Sequence, residues 1–311
     1  MKKVLIDSDP GHDDMIAIML ACASEELDIL GITTIAGNQE GEKTFNNTLK
    51  ILTLINRKDI LVARGFDKPI LRDLLTAPEI HGISGLDGAE LPLPEIKPSN
   101  LHAVDFIITS VLSSEEKVYL IPTGPLTNVG VAFLREPKIK ENIEKIVLMG
   151  GAVFESNVTP AAEFNIYVDP EAAEIVFKSG VPIVMVGLDV TNKALFSSED
   201  INKLERLDGR VSKIVSPLLR FFAKNYYEIY GLEGAPLHDA LAVSYVIDRT
   251  ILETKLLHVD IETNGKFTRG QTVVDIYGVT KKIPNVEIAF NLDLKKFKDL
   301  VFKTIKILDN R

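Results

Sequence analysis

Residues 3–15 read Lys-Val-Leu-Ile-Asp-Ser-Asp-Pro-Gly-His-Asp-Asp-Met, and this order of apolar, acidic and again apolar residues decides the fold. The apolar run 4–6 predicts a buried strand, and the helical spacing of residues 13–24 predicts a helix directly after the acidic loop. The same alternation recurs along the chain. Further strands are predicted at 29–34, 60–63, 118–121, 146–149 and 183–186, and helices at 43–56, 101–113, 125–135 and 170–179.

Strands that alternate with helices predict an α/β fold, because the crossover between parallel strands is usually a helix. We therefore expect an open, mostly parallel, Rossmann-like sheet with helices on both faces. After about residue 195 the pattern changes to helices at 198–206, 211–230 and 239–247. A hairpin is predicted next, with strands 256–262 and 266–275 and a turn at Asn264-Gly265, and then a last helix over 292–308. No linker interrupts the chain, which predicts one domain over 1–311.

Composition narrows the classes of partner. Lys and Arg number 35 against 44 Asp and Glu, which gives a formal net charge of −9. An acidic surface repels phosphate groups and anionic lipid, so we expect neither nucleic acid nor membrane as the partner. The apolar run 15–23 around the single Cys22 is too short to span a bilayer. The amino terminus has no signal-peptide pattern, and we expect a cytoplasmic protein.

The loop after the first predicted strand carries four carboxylates: Asp7, Asp9, Asp13 and Asp14. One or two of them could cap the helix that follows. Four carboxylates this close repel one another unless they share a cation or a proton, and oxygen ligands suit calcium or magnesium. The loop also resembles the Asp-x-Asp nucleophile loop of haloacid-dehalogenase-type phosphatases, although that loop usually has Thr or Val at the position of Gly11.

Two distant segments carry further polar side chains. His238 and Asp239 come directly before the apolar run 240–247 of a predicted helix, and Glu163 and Asn165 precede the helix 170–179. Each could be an ordinary helix-start residue when taken alone. In an open parallel sheet, ligands bind beyond the carboxyl ends of the strands. The residues directly after the predicted strands are therefore the candidates for a site.

Taken together, these segments resemble the nucleoside hydrolases of the inosine–uridine-preferring family. The first motif agrees over the eight residues 7–14, and the matches run in order from residue 3 to about 305. The other matching segments are Ile32-Thr-Thr-Ile-Ala-Gly-Asn38, His81-Gly-Ile-Ser-Gly85, Val147-Leu-Met-Gly-Gly151, Ala162-Glu-Phe-Asn165 with Asp169-Pro-Glu-Ala-Ala173, and His238-Asp239. The resemblance implies the nucleoside hydrolase fold and a role in nucleoside salvage.

The resemblance also implies a calcium site. Its protein ligands would be the carboxylates of Asp9, Asp14 and Asp239 and the backbone carbonyl of Thr123. Asp9 would act in addition as the general base toward a calcium-bound water. The reaction would be hydrolysis of the N-glycosidic bond of a ribonucleoside to ribose and free base, through an oxocarbenium-like transition state.

The resemblance assigns roles to the remaining site residues as well. Asn38 would orient the attacking water and the sugar, and His238 would be the acid that assists the leaving base. The substrate-binding residues would be Asp13, Asn157, Glu163 and Asn165 around the ribose hydroxyls, Phe164 and Met149 as apolar contacts, and His81 and Tyr230 near the base.

Base preference can be narrowed within the family. Purine-specific members stack the base between tryptophans, and this chain has no Trp. The segment from Tyr226 to His238 resembles that of the pyrimidine-preferring members, although Tyr226 stands where we expect a glutamine. We expect uridine and cytidine as preferred substrates, with a broad inosine–uridine preference as the alternative. A homotetramer is implied by the resemblance alone.

Two readings outside this family remain open at the level of sequence. The first is the Asp-nucleophile phosphatase, which lacks a suitable Lys after a late strand. The second is a non-catalytic nucleoside-binding protein with a structural calcium ion. A carboxylate base next to a metal is not needed for ribose capture alone, which favours the enzyme.

Overall fold

The computed structural model describes all residues from Met1 to Arg311. The strands are β1 (Lys2–Ser8), β2 (Leu27–Thr34), β3 (Val62–Arg64), β4 (Val118–Pro122), β5 (Ile143–Met149), β6 (Ile183–Val186), β7 (Leu195–Phe196), β8 (Ala235–Pro236), β9 (Leu252–Ile261), β10 (Thr272–Asp275) and β11 (Val286–Leu292). The helices are α1 (His12–Ala23), α2 (Gly41–Leu54), α3 (Pro78–His81), α4 (Ala103–Ser113), α5 (Thr127–Arg135), α6 (Phe164–Val168), α7 (Pro170–Phe177), α8 (Leu188–Thr191), α9 (Ser198–Glu205), α10 (Ser212–Tyr230), α11 (His238–Ile247) and α12 (Leu294–Asp309). None of these helices is long and apolar enough to cross a membrane.

Nine of the strands form one sheet in the order β10-β9-β11-β6-β5-β4-β1-β2-β3. The strands from β11 to β3 are parallel to one another, and β9, near one edge, pairs antiparallel with both β11 and β10. The expected α/β fold with an open, mostly parallel sheet is therefore confirmed. β7 and β8 pair separately as a short antiparallel ribbon.

The sheet is buried on both faces because alternate residues of each strand enter two different cores. Val4 and Ile6 of β1 pack into the core that contains α1, α10, α11 and α12. Leu5 points to the opposite face, into the core with α4, α5 and α7. This arrangement explains why the strands read as continuous apolar runs rather than as alternating patterns.

The order of the strands creates a crevice at the carboxyl end of β1. The chain leaves β1 toward β2 on one side, and β4 later pairs with β1 on the other side. The loops that follow β1 and β4 therefore diverge in opposite directions. Ligands bind at such a switch point in open α/β sheets, and the acidic loop 9–11 lies there.

The C-terminal part of the sheet differs from the sequence prediction. The predicted hairpin exists as β9 and β10, but its strands are joined by the long loop 262–271 rather than by a tight Asn264-Gly265 turn. The Glu262 carboxylate accepts hydrogen bonds from the backbone N–H groups of Asn264 and Gly265, at 2.8 and 2.9 Å, which stabilises the longer loop. Gly270 at its far end packs on Tyr167, and a Cβ there would lie 2.7 Å from the Tyr167 Cα.

The strand β11 was not predicted. It occupies residues Val286–Leu292 and joins β9 to the parallel part of the sheet through β6. Consequently the last helix begins at Leu294 rather than at 292. The mixed composition of this stretch hides the strand, since only Val286, Ile288 and Ala289 are buried.

The last helix is fixed to the core by Phe297. This side chain is fully buried, and its ring meets the Phe196 ring edge-on with centroids 6.3 Å apart. We expect Phe297→Ala to lower the free energy of unfolding by about 3–5 kcal/mol, since a large cavity remains. Urea denaturation followed by circular dichroism measures this loss. Lys303→Ala, at an exposed position of the same helix, is the control; an equal loss in both variants would contradict the role of Phe297.

Candidate active site

A cavity of about 440 Å³ opens at the carboxyl end of the sheet. Its wall includes all the predicted site residues except Asp9 and Asp14, which are fully buried behind it. The lining residues are Asp13, Asn38, Leu75, Thr76, Ala77, Glu79, Ile80, His81, Thr123, Met149, Asn157, Val158, Glu163, Phe164, Asn165, Tyr167, Tyr226, Tyr230, His238 and Asp239. The cavity has an acidic end and an end lined by histidine and tyrosine.

Asp14 is held at the acidic end by four donors. Its Oδ1 accepts hydrogen bonds from the hydroxyls of Ser8 at 2.6 Å and Thr123 at 2.8 Å. Its Oδ2 accepts from the backbone N–H of Gly11 at 3.0 Å and from the side-chain amide of Asn38 at 3.2 Å. The loops after β1, β2 and β4 thus meet at this one carboxylate.

Asp9 lies beside it with one oxygen unpaired. Its Oδ2 accepts a 2.7 Å hydrogen bond from the backbone N–H of Asn38, whereas its buried Oδ1 has no partner. Gly37 and Gly124 flank the carboxylate so closely that a Cβ would lie 2.1 Å from Oδ2 or 2.6 Å from Oδ1. Desolvation by burial, and then the charge of Asp14, raises the pKa of Asp9 well above its usual value. An unpartnered buried oxygen of this kind suits a bound cation or water.

Asp14 also belongs to a group of three carboxylates at the acidic end. One oxygen each from Asp13, Asp14 and Asp239 lies within 4.8 Å of the other two, and all three residues are buried. Burial and the neighbouring carboxylates raise the pKa of Asp13 and of Asp239. This set contains Asp13 in the place of Asp9, whereas the sequence analysis predicted Asp9, Asp14 and Asp239. Both sets are all-oxygen and suit a hard divalent cation.

Asp7 braces the acidic loop from behind. Its Oδ1 accepts hydrogen bonds from the Thr33 hydroxyl at 2.6 Å and from the Asn128 side-chain amide at 2.8 Å. Burial raises the pKa of Asp7 to about 6, against the opposing effect of these two donors. The carboxylate therefore ties the end of β1 to β2 and α5, and it does not line the cavity.

The middle of the cavity is built by the start of α6. Glu163 caps this helix, since its Oε1 accepts from the N–H of Asn165 at 2.9 Å and its Oε2 accepts from Ile166 at 3.1 Å and from Gly151 at 2.9 Å. Burial raises the pKa of Glu163 to about 7. The Asn165 side-chain amide donates to the Thr123 carbonyl at 2.8 Å, which connects α6 to the acidic end.

Asn157, in the loop before α6, lies next to Phe164, the first residue of α6. The Asn157 Oδ1 accepts a 2.9 Å hydrogen bond from the Phe164 N–H, and its carbonyl accepts from the Tyr230 hydroxyl at 3.2 Å. The second contact joins this loop to the end of α10. The predicted sugar-binding residues are thus brought together with Tyr230 on one wall.

His238 stands opposite the acidic end in a chain of hydrogen bonds. Its Nε2 lies 3.0 Å from the Tyr226 hydroxyl, and its Nδ1 lies 2.8 Å from the Thr191 hydroxyl. Burial raises the pKa of the Tyr226 phenol, so the phenol stays protonated. A hydroxyl can donate or accept, so the tautomer of His238 sets the direction of the contact with Nε2. Burial also lowers the pKa of His238 to about 3.

A stack of rings supports the other histidine. His81 lines the cavity, with its ring 5.2 Å from Phe222 and 5.5 Å from His12, measured between centroids. Desolvation by burial is the main cause that lowers the pKa of His81 well below its usual value. Asn225 of α10 donates to the Ile80 carbonyl at 2.9 Å, which holds α3 against α10.

Sequence analysis missed several of these residues. It assigned no role to Tyr226, Thr191 or His12, nor to the wall formed by residues 75–80. Thr191 follows β6, so the rule about residues after strands could have identified it. The wall 75–80 has no such signal, because it lies far along the chain from β3 and carries no acidic motif.

Curated relatives with similar sequences are named for one activity. The chain is 49% identical over 304 residues to the pyrimidine-specific ribonucleoside hydrolase RihA of Escherichia coli strain SMS-3-5, which covers 97% of this chain and 98% of that protein. It is 48% identical, with the same coverage, to the protein of the same name from Escherichia fergusonii.

Solved structures show the same fold. A purine-preferring ribonucleoside hydrolase from Gardnerella vaginalis superposes with a TM-score of 0.93 at 34% identity, over 99% of both chains. The plant nucleoside hydrolase PpNRh1 gives 0.92 at 31% identity, over 98% of this chain and 99% of that one. The family model described as inosine-uridine preferring nucleoside hydrolase matches residues 4–299. The resemblance in the motifs is thereby confirmed, and the chain belongs to the inosine-uridine preferring nucleoside hydrolase family.

Proposed function

We propose that this protein hydrolyses the N-glycosidic bond of ribonucleosides to ribose and free base, with pyrimidine nucleosides preferred and Ca²⁺ as cofactor. One observation carries the proposal: a single cavity joins a buried carboxylate cluster to a wall of histidine and tyrosine. A ribonucleoside has the matching polarity, with a diol at one end and a planar base at the other. Family membership also favours this reaction over the phosphatase and over a non-catalytic binding protein.

The acidic end fits a calcium ion. Carboxylates this close repel one another, and a divalent cation offsets that repulsion. We propose Asp9, Asp14, Asp239 and the Thr123 carbonyl as ligands, as the family resemblance implies, and Asp13 as a neighbour that binds the sugar. When bound, Ca²⁺ would bind the hydroxyl oxygens of the ribose diol and lower the pKa of a bound water molecule.

Asp9 is the proposed general base. Its buried Oδ1 has no partner within the protein and can accept a proton from the attacking water. Asn38 holds the carboxylate in place through its backbone N–H and donates its side-chain amide to Asp14 at 3.2 Å. The attacking water would thus lie next to a carboxylate whose orientation is already fixed.

The ribose would lie along the middle of the cavity. Asp13, Asn157, Glu163 and Asn165 offer oxygen and amide groups to its hydroxyls, while Phe164 and Met149 supply apolar contacts. Carboxylates near the anomeric carbon stabilise the positive charge that develops as the glycosidic bond breaks. This interaction is stronger in the transition state than in the bound substrate, as catalysis requires.

The nucleobase of the substrate would lie at the end of the cavity lined by histidine and tyrosine. We propose that His238 and the Tyr226 hydroxyl, which lie 3.0 Å apart, together assist the departing nucleobase with a proton. Because burial keeps His238 neutral, the pair would act through the N–H group of His238 or the O–H group of Tyr226 rather than through an imidazolium. His81 and Tyr230 would contact its edge and face. Thr191 fixes the ring of His238 and so takes part in positioning it rather than in the reaction.

Pyrimidine preference is supported by the named relatives at 48–49% identity and by the absence of Trp. Broad specificity is the second candidate, since the neighbour from Gardnerella vaginalis is named purine-preferring and is 34% identical. We further propose one domain for the whole chain, a cytoplasmic location and a homotetramer, the last from family resemblance alone.

Ribose release tests the function directly. We expect the protein with added Ca²⁺ to release ribose from uridine and cytidine faster than from inosine, and to lose this activity when a chelator removes the metal. A reducing-sugar assay measures the product, and readdition of Ca²⁺ should restore it. Release of phosphate from nucleotides without release of ribose would instead support the phosphatase alternative.

Asp9→Asn tests the role of Asp9 as general base. The amide keeps the shape of the side chain but cannot accept a proton, so we expect kcat to fall at least about a hundredfold. Steady-state kinetics with uridine at saturating Ca²⁺ measure the change, and Asp299→Asn on the exposed face of α12 is the control. An Asp9→Asn enzyme within a few-fold of wild type would refute the assignment.

His238→Ala tests the leaving-group role. A purine departs well only when a ring nitrogen is protonated, so we expect turnover of inosine to fall by roughly two to four orders of magnitude. Uridine should lose less, because its charge spreads onto an oxygen that other groups can contact. Tyr226→Phe, which keeps the ring and removes the hydroxyl, should likewise slow inosine more than uridine. Equal losses for both substrates would make His238 a base-recognition residue.

A further inference from the structure

The end of the cavity lined by histidine and tyrosine carries one carboxylate that the proposed reaction does not use. Glu79 belongs to the short helix α3 and lines the cavity, yet the residue is exposed to solvent. The other carboxylates of the wall, Asp13, Glu163 and Asp239, are buried. Glu79 therefore lies at the mouth of the cavity and is separate from the buried acidic cluster.

Packing of α3 on α10 brings Glu79 close to Tyr230. The Asn225 side-chain amide donates to the carbonyl of Ile80 at 2.9 Å, which holds the residue after Glu79 against α10. Burial, and then the charge of Glu79, raises the pKa of the Tyr230 phenol, so the two side chains lie near each other. The Tyr230 hydroxyl donates instead to the Asn157 carbonyl, at 3.2 Å. The Glu79 carboxylate is thus free to accept a hydrogen bond from a ligand.

No cation of the cavity wall neutralises Glu79, since the lining residues include neither Lys nor Arg. A carboxylate accepts hydrogen bonds and donates none, and its bonds to N–H groups are stronger than those between neutral groups. It also repels the lone pairs of a carbonyl oxygen. A substrate group that reaches Glu79 is therefore favoured when it is a donor and disfavoured when it is an acceptor.

The part of a bound pyrimidine that would reach the mouth of the cavity is the substituent at C4. With the ribose at the acidic end, the nucleobase extends from N1 toward the end lined by histidine and tyrosine. C4 lies opposite N1 across the six-membered ring, so its substituent points away from the sugar. This substituent is an amino group, a donor, in cytidine and a carbonyl oxygen, an acceptor, in uridine.

We propose that Glu79 is a specificity-determining residue that favours cytidine over uridine, because its carboxylate accepts a hydrogen bond from the 4-amino group of the bound nucleobase. This proposal rests on the proposed function, since it concerns the nucleobase of the same substrate. Discrimination of this kind combines an attraction toward one ligand with a repulsion of the other. Glu79 supplies both at a single position.

Steady-state kinetics with the Ca²⁺-loaded protein test the assignment through the ratio of kcat/KM for cytidine to that for uridine. Glu79→Gln, whose amide can donate as well as accept, should lower this ratio about tenfold, the lower end for a hydrogen bond to a charged group. Glu79→Lys, which can only donate, should lower the ratio further. Glu228→Gln, exposed on α10 and outside the cavity, is the control and should leave the ratio unchanged.

A modified substrate tests the hydrogen bond itself. N4,N4-dimethylcytidine has the ring of cytidine but no N–H at the 4-position. We expect its kcat/KM relative to that of cytidine to be about tenfold lower in wild type than in Glu79→Gln, because only wild type loses the bond to a charged acceptor. An equal loss in both proteins would show that the methyl groups act by size alone and would overturn the proposal.

An unchanged ratio of cytidine to uridine in Glu79→Gln and Glu79→Lys would refute the role of Glu79, even if both variants were slower. Ribose release by wild type from both nucleosides would then leave the proposed function intact. A wild-type protein that releases ribose from neither nucleoside would instead refute the proposed function. The two failures are therefore distinguishable in the same set of assays.

Discussion

The structure depends on the burial of several carboxylates at one end of its sheet. Asp9 and Asp14 are fully buried, and Asp13 and Asp239 are buried at the wall of the cavity, so these carboxylates repel one another strongly. The surrounding backbone is arranged to reduce this cost. Asp14 accepts four hydrogen bonds. Asp9 packs against Gly37 and Gly124, where the Cβ of any other residue would clash with its carboxylate. A bound divalent cation would offset the repulsion that remains.

The sheet provides the rigidity that this cluster needs. β1, β2 and β4 end side by side, so their loops deliver Ser8, Asn38 and Thr123 to the same carboxylate. Asp7 then locks β1 to its neighbours through Thr33 and Asn128. The acidic end of the cavity is therefore built on strands, whereas the end lined by histidine and tyrosine is built on α3, α10 and the start of α11.

Sequence patterns anticipated much of this because the relevant signals are local. The strand and helix periods placed most elements within a few residues, and the acidic loop together with five further motifs identified the family, which the comparisons confirm. The errors lie where local signals are ambiguous. β11 has only three buried apolar residues, and the Asn264-Gly265 pair resembles a tight turn although the Glu262 carboxylate caps a longer loop there.

The sequence by itself determined the α/β class, the family and the identity of the residues at the carboxyl ends of the strands. Only the tertiary structure decided how Asp239 reaches Asp13 and Asp14, how Tyr226 and Thr191 hold His238, and how His12 holds His81. The physical reason is that periodicity marks which face of an element is buried, and cap and loop residues mark where it ends. Contacts between side chains distant in sequence depend instead on how helices pack and on the path of the loops, and neither leaves a periodic signal in the chain.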